Sequence, residues 1–224
     1  MKKRLKTFLF AIFAGIAIGC GGLFFMLAKT YVPNNWGAIV GSLLFPIGLI
    51  TICYCKFNLY TGKIGIAPNK GINTNNLNVL EWLFLILLGN VVGAFAFGLL
   101  VYPFTFLGSQ FSDTVRAVGS ARETMNLFEM FGTSILCGIL VYVAVYLFNN
   151  SKQHFGKITG VLCPIALFVL AGFQHCVANM FYMAASGCWS LASALALLVC
   201  IVGNSIGGLV ANLPVLFINR STLF

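Results

Sequence analysis

Long charge-free apolar stretches alternate with short polar segments along the chain. Phe8 to Ala28 runs 21 residues without Asp, Glu, Lys or Arg, Val32 to Cys55 runs 24, Trp82 to Ser112 runs 31 and Met130 to Ser151 runs 22. Ile158 to Asn219 continues for 62 residues without a charge. A membrane-crossing helix needs about 20 predominantly apolar residues. The first four stretches therefore predict one crossing each. The last must double back, with Ala185-Ser186-Gly187 as the turn. Six crossings leave both termini on one side of the membrane.

Composition agrees with this reading. Of 224 residues, 60% are hydrophobic and 8% are charged, and the mean hydropathy is +0.98. A soluble domain carries about 25% charged residues. This excludes a cytosolic enzyme, a nucleic-acid binder and a disordered regulator. The net charge of +9 is largely loop cations. One side collects Lys2, Lys3, Arg4, Lys6, Lys70, Lys152, Lys157 and Arg220, and the other Lys29, Arg116 and Arg122. An excess of cations marks the cytoplasmic side, so both termini are expected in the cytoplasm of a plasma membrane, the inner membrane in a bacterium. The first stretch is too long for a signal-peptide core and ends without a clean small-residue cleavage site. The eight cysteines show no paired metal-binding spacing, and those within apolar runs read as small hydrophobes. No metal or cofactor is expected.

The two halves share punctuation. Phe45-Pro46-Ile47-Gly48-Leu49 resembles Cys163-Pro164-Ile165-Ala166-Leu167, 118 residues on, and Gly89-Asn90-Val91-Val92-Gly93 resembles Gly203-Asn204-Ser205-Ile206-Gly207, 114 residues on. Three crossings per half is an odd number, so the halves, about 7–107 and 125–218 of a single domain spanning 1–224, must be inverted relative to each other. Inverted repeats with interrupted helices are a transport architecture. Two interruptions are visible. Crossing two runs into Cys55 to Lys63, and crossing five runs into Gly172 to Asn179. Non-helical backbone at membrane depth is tolerated only inside protein or along a cavity.

At these interruptions the chain resembles the formate/nitrite transporter family of formate, nitrite and hydrosulfide channels. Leu59-Tyr60-Thr61-Gly62 is similar to that family's Leu-Phe-Thr-Gly/Ser loop, and Gly172-Phe173-Gln174-His175-Cys176-Val177-Ala178-Asn179-Met180-Phe181 to its Gly-Phe-Glu-His-Ser-x-Ala-Asn-Met-Phe break. Ser134-Ile135-Leu136 and Val141 to Tyr146 fit its fourth helix. The resemblance implies an all-α polytopic membrane protein. Its protomer would be aquaporin-like, with six helices, an inverted three-plus-three repeat and interrupted helices two and five. It would assemble as a homopentamer in lipid, with one pore per subunit. By position, Phe45, Leu49 and Tyr60 would form the cytoplasmic constriction and Phe168 the periplasmic one. Thr61 and His175 would lie between them, and Asn204 would face the pore. Arg122 falls where the family places an extracellular-side Lys.

The chemistry of such a pore follows from charge. A bare anion at the bilayer centre costs from a few to more than ten kcal/mol. Neutralising it is cheaper: a carboxylic acid of pKa near 4 must gain a proton at pH 7, about 3 units or ~4 kcal/mol. The design suits small monovalent weak acids (formate, nitrite or hydrosulfide, and acetate at the upper size) and brings protons in as partners. His175 is the residue placed to hydrogen-bond or protonate the anion, its reference pKa of about 6.5 lying nearest neutrality. Thr61 offers one donor and two acceptor lone pairs, for the solute or for the break's own backbone.

The chain departs from the family pattern together at three places. A Lys, a Glu beside the central His and an Asn on helix four become Arg122, Gln174 and Gly138. One account is compensation: Arg is bulkier, Gly makes room, and Gln removes the countercharge. Removing the countercharge leaves the cation open to an incoming anion. Lys56 stands where the family has Gly and would draw anions into the cytoplasmic vestibule. Six residues precede the expected helix one, so the long amphipathic gating helix of some relatives is not expected here. Two other classes compete. An aquaporin-like channel for small neutral solutes would need a wetter path than these aromatic and leucine side chains give. An intramembrane enzyme would need a buried nucleophile–base pair or metal ligands, which the sequence does not offer.

Overall fold

The computed structural model describes residues 2–34, 36–67, 78–102 and 107–221. Lys70, one of the cations expected on the cytoplasmic side, lies outside them. Among the described residues the chain is helical throughout, in ten elements: α1 (Lys2–Tyr31), α2 (Trp36–Leu44), α3 (Ile47–Cys55), α4 (Tyr60–Ile64), α5 (Val79–Val101), α6 (Ser109–Glu123), α7 (Leu127–Asn150), α8 (His154–Leu170), α9 (Cys176–Ser186) and α10 (Leu191–Ser221).

Five stretches are long and apolar enough to cross a bilayer: α1, α2 with α3, α5, α7 and α10. The remaining crossing is divided between α8 and α9, neither of which reaches that length alone. The 62-residue charge-free run thus becomes three helices. The turn expected at Ala185-Ser186-Gly187 is where α9 ends, with Gly187 in the left-handed region at φ 70°. The 31-residue run beginning at Trp82 predicts one long crossing, but α5 stops at Val101 and α6 begins at Ser109. α6 was not legible in the apolar pattern because it is amphipathic and half polar, burying only Phe111, Val115, Val118 and Gly119.

Small residues set how closely the long helices approach, as they do where lipid leaves no hydrophobic force between helices. α1 packs along α5, and α7 along α10. In the first pair a Cβ on Gly93 would strike the Ile12 carbonyl oxygen, and in the second a Cβ on Gly207 would strike that of Ile135. The outer faces stay apolar and open, with Phe128, Leu191 and Phe155 each more than three-quarters exposed. Such surface belongs against lipid or a neighbouring subunit. The core of the molecule is where the two interrupted crossings meet.

Candidate functional site

Both interruptions use one backbone device. α3 ends with the N–H of Lys56 on the Cys53 carbonyl at 3.4 Å and that of Phe57 on the Ile52 carbonyl at 3.0 Å. α8 ends with the N–H of Gly172 on the Val169 carbonyl at 3.2 Å and that of Phe173 on the Phe168 carbonyl at 2.9 Å. This is the paired bonding of a Schellman stop, which requires a left-handed residue after the helix. Lys56 (φ 57°) and Gly172 (φ 74°) supply it. Three residues later each chain re-enters a helix, α4 after Leu59 and α9 after His175.

One asparagine staples each interruption. Asn90 of α5 accepts from the Tyr60 N–H at 2.8 Å and donates to the Ala11 and Asn58 carbonyls at 2.8 and 2.9 Å. Asn204 of α10 accepts from the Cys176 N–H at 2.9 Å and donates to the Ser134 and Gln174 carbonyls, both at 2.8 Å. Both side chains are fully buried. They satisfy backbone groups that a broken helix leaves without partners in an apolar surrounding, where each such group costs about 1–3 kcal/mol. The expectation that Asn204 faces a pore is therefore corrected: its amide is turned onto the backbone of the break.

His175 and Thr61 come together as expected, and both are buried. The Ala178 N–H donates to His175 Nδ1 at 3.2 Å, so the imidazole also caps α9. An accepting Nδ1 carries no proton, which makes the ring neutral with its hydrogen on Nε2. Nε2–H then donates to Thr61 Oγ1 at 2.8 Å. The ring lies parallel to Phe168 at 5.9 Å between centroids, and Phe168 meets Phe45 edge-on at 5.7 Å.

Three hollows share walls here. At the centre is a cavity of about 10 Å³ bounded by Ile18, Phe45, Leu49, Leu59, Val141, Ile165, Phe168 and His175. That volume is at the threshold for one water. On one side opens a vestibule of about 330 Å³, whose walls include Phe45, Phe168, Gln174, His175, Arg122 and Lys29. On the other, at the end of the molecule where α7 stops and α8 begins, opens one of about 370 Å³ that includes Leu49, Leu59, Lys56, Lys63 and Lys157. Among the described residues, each vestibule carries cations and no carboxylate.

The grouping of the apolar residues differs from that expected. Phe45 sits with Phe168, against the first vestibule, and Leu49 sits with Leu59, against the second. Tyr60 lines none of these three hollows; its hydroxyl is bonded to Ser205 Oγ at 2.9 Å, so it cannot wet the path. Break geometry explains the exchange: with Leu59 extended at ψ 128°, neighbouring side chains diverge, and the leucine takes the inward position.

Arg122 is tied into a neutral relay. Its Nε donates to Asn179 Oδ1 at 3.0 Å, Asn179 Nδ2 donates to Gln174 Oε1 at 3.1 Å, and Gln174 Nε2 donates to the Gly172 carbonyl at 2.8 Å. Its Nη1 donates to the Val118 carbonyl, and its guanidinium lies 4.2 Å from the centre of the Tyr182 ring. Gly138 does not belong to this group. A Cβ there would press on the Asn204 carbonyl, so its smallness serves the crossing of α7 and α10 rather than room for Arg122. Lys56 is exposed on the second vestibule. Asn90, Leu59, Asn179 and Lys157 were given no site role by sequence reading, although Asn90 stands in the repeated Gly-Asn pattern, Leu59 and Asn179 stand in the two break motifs, and Lys157 stands among the loop cations.

Two half-crossing helices meeting at a buried centre, inside a frame of long apolar helices, define a polytopic membrane protein of aquaporin-like fold. A family model described as formate/nitrite transporter matches residues 1–218. The formate channel FocA of Haemophilus influenzae is 31% identical over 191 residues, covering 80% of this chain and 66% of that protein. FocA of Escherichia coli K12 is 30% identical over 188 residues, with the same coverage. The chain thus spans 66% of the length of these curated relatives. Among solved structures, a pentameric formate channel with formate bound aligns at a TM-score of 0.77 and 22% identity, covering 99% of this chain and 98% of that one. An FNT family ion channel aligns at 0.83 and 22%, covering 95% and 90%. The chain belongs to the formate/nitrite transporter family.

Proposed function

We propose that this protein passes small monovalent weak-acid anions across a membrane, formate first, with nitrite, hydrosulfide and acetate in the same class. The observation that carries the reading is the sequence of environments: a cationic vestibule, a dry apolar cavity whose one polar lining residue is His175, and a second cationic vestibule. The cations raise the local concentration of anions at both mouths. Phe45 with Phe168 on one side, and Leu49 with Leu59 on the other, impose the cost of an unneutralised charge. His175, its Nε2–H held toward Thr61, is the polar group an anion meets between them, and the solute crosses carrying a proton. Arg122, with Gln174 in place of an acid, and Lys56 set anion capture at the two ends.

The working unit is a homopentamer in lipid, as in the pentameric formate channel that shares this fold. Both termini are cytoplasmic in a plasma membrane, the inner one in a bacterium, and the two halves form an inverted repeat about the central cavity. The reading needs no cofactor, metal or covalent chemistry. A channel for neutral solutes fits less well, since cations at both mouths do nothing for such a solute.

Proteoliposome uptake of formate, nitrite, hydrosulfide, acetate and lactate at two pH values tests the proposal, with glycerol swelling as the control. Uptake of the small weak acids that rises toward low pH, without glycerol permeation, is the expected result. Glycerol permeation equal to that of formate would overturn it.

A further inference from the structure

The two vestibules are unequal. Beside Arg122 the guanidinium is already engaged by Asn179, the Val118 carbonyl and the Tyr182 ring, and Lys29 lies 6.0 Å over Phe25. The opposite vestibule gathers three lysines, Lys56, Lys63 and Lys157, around one hollow of about 370 Å³ with no carboxylate among its walls. Lys56 is fixed as the left-handed stop of α3, and Lys157 Nζ sits 5.4 Å over the ring of Phe148, another wall residue. α8 starts beside this hollow, and its cap residue Gln153 makes no side-chain cap, so the positive end of a 17-residue helix adds to the field. The floor is Leu49 and Leu59, with the cavity of about 10 Å³ behind it.

Such a hollow is larger and more cationic than a formate-sized solute needs. Its volume lies in the range of small-molecule sites, about 300–1,000 Å³. We propose that this vestibule is a docking site for a small multivalent anion, one carrying two or more negative charges, which binds the lysine cluster and plugs the path because it cannot enter. A monovalent weak acid sheds its charge with one proton. A dianion must gain two, so the apolar path beyond is far more costly for it. The plugging step rests on the transport reading above; the docking step does not.

Docking is tested on the purified full chain in detergent by calorimetric titration with inorganic pyrophosphate at low ionic strength, with sodium chloride as the monovalent control. Saturable pyrophosphate binding is expected. Lys56→Gln and Lys157→Gln should each weaken it about fivefold, the effect of one partly exposed charge pair. Lys56→Gly, which also relaxes the left-handed backbone, should match Lys56→Gln. Lys152→Gln, an exposed lysine outside the hollow, should leave binding unchanged. Equal weakening by Lys152→Gln, or no saturable binding, overturns the site. Plugging is tested by adding pyrophosphate to one face of formate-loaded proteoliposomes; block from the α7–α8 face alone is expected. Flux that continues while pyrophosphate is bound overturns the plug. Vesicles that move no formate at all refute the transport reading, and the titration still decides the site.

Discussion

The two interruptions share a backbone and differ in chemistry. Each stops a helix on a left-handed residue, passes through three non-helical residues of which the last is extended, and restarts under the amide of a buried asparagine. At the residue that caps the restart, one carries Leu59 and the other His175, and both reach the central cavity. At the left-handed position one carries Lys56 and the other Gly172. One scaffold built twice therefore presents an apolar side chain to the cavity on one side and a titratable one on the other. At these two positions the asymmetry is in side chains, so it can be altered by single substitutions.

The strongest test of the shared scaffold is to remove its staples. Asn204→Leu leaves the Cys176 N–H and the Ser134 and Gln174 carbonyls without their partner, and Asn90→Leu does the same to Tyr60, Ala11 and Asn58. Each substitution should cost about 3 kcal/mol or more of stability. Thermal unfolding in detergent should show two similar losses, and tolerance of either one would break the equivalence.

His175→Asn separates capping from proton handling. Asn is a good cap, so α9 should persist. The titratable group is gone, so formate uptake should lose the part of its pH dependence that the imidazole supplies. A profile matching the parent would remove His175 from the proposed role.

Gln174→Glu restores an acid to the neutral relay from Arg122. It also loses the donor that reaches the Gly172 carbonyl. The apparent KM for formate should rise about fivefold, as for a charge worth ~1 kcal/mol at a partly exposed site. An unchanged KM would show that Arg122 captures no anion.

The smallest effects are a matched pair at the left-handed stops. Lys56→Gly should gain about 1 kcal/mol, because a residue with a Cβ is disfavoured there, and Gly172→Ala should lose about as much. A Cβ at Gly172 meets nothing within 4 Å, so that loss would be conformational alone. Opposite shifts in melting temperature check both.

Much of the architecture was legible in the sequence. Apolar run lengths located the long crossings, and the repeated Pro and Gly-Asn patterns pointed at two breaks. His175 and Thr61 were paired correctly because motif residues at both breaks had to meet. Other assignments slipped where periodicity gives no direction. Tyr60 and Leu59 exchanged places because an extended residue precedes α4. Asn204 was read as a lining residue, although its bonding partners lie 28 to 70 residues away and only the packed fold brings them to it. Gly138 was grouped with Arg122 by motif position, whereas its contact with the Asn204 backbone is a property of how α7 crosses α10.

The sequence by itself determined a lipid environment, the number of crossings and the existence of two breaks. These follow from hydropathy and run length, which depend on neighbours along the chain. Only the tertiary structure decided which side chains face the cavity, that both asparagines are spent on backbone, and that three lysines share one hollow. Those facts depend on how the two interrupted crossings are brought together, and a broken helix has no period from which direction can be read.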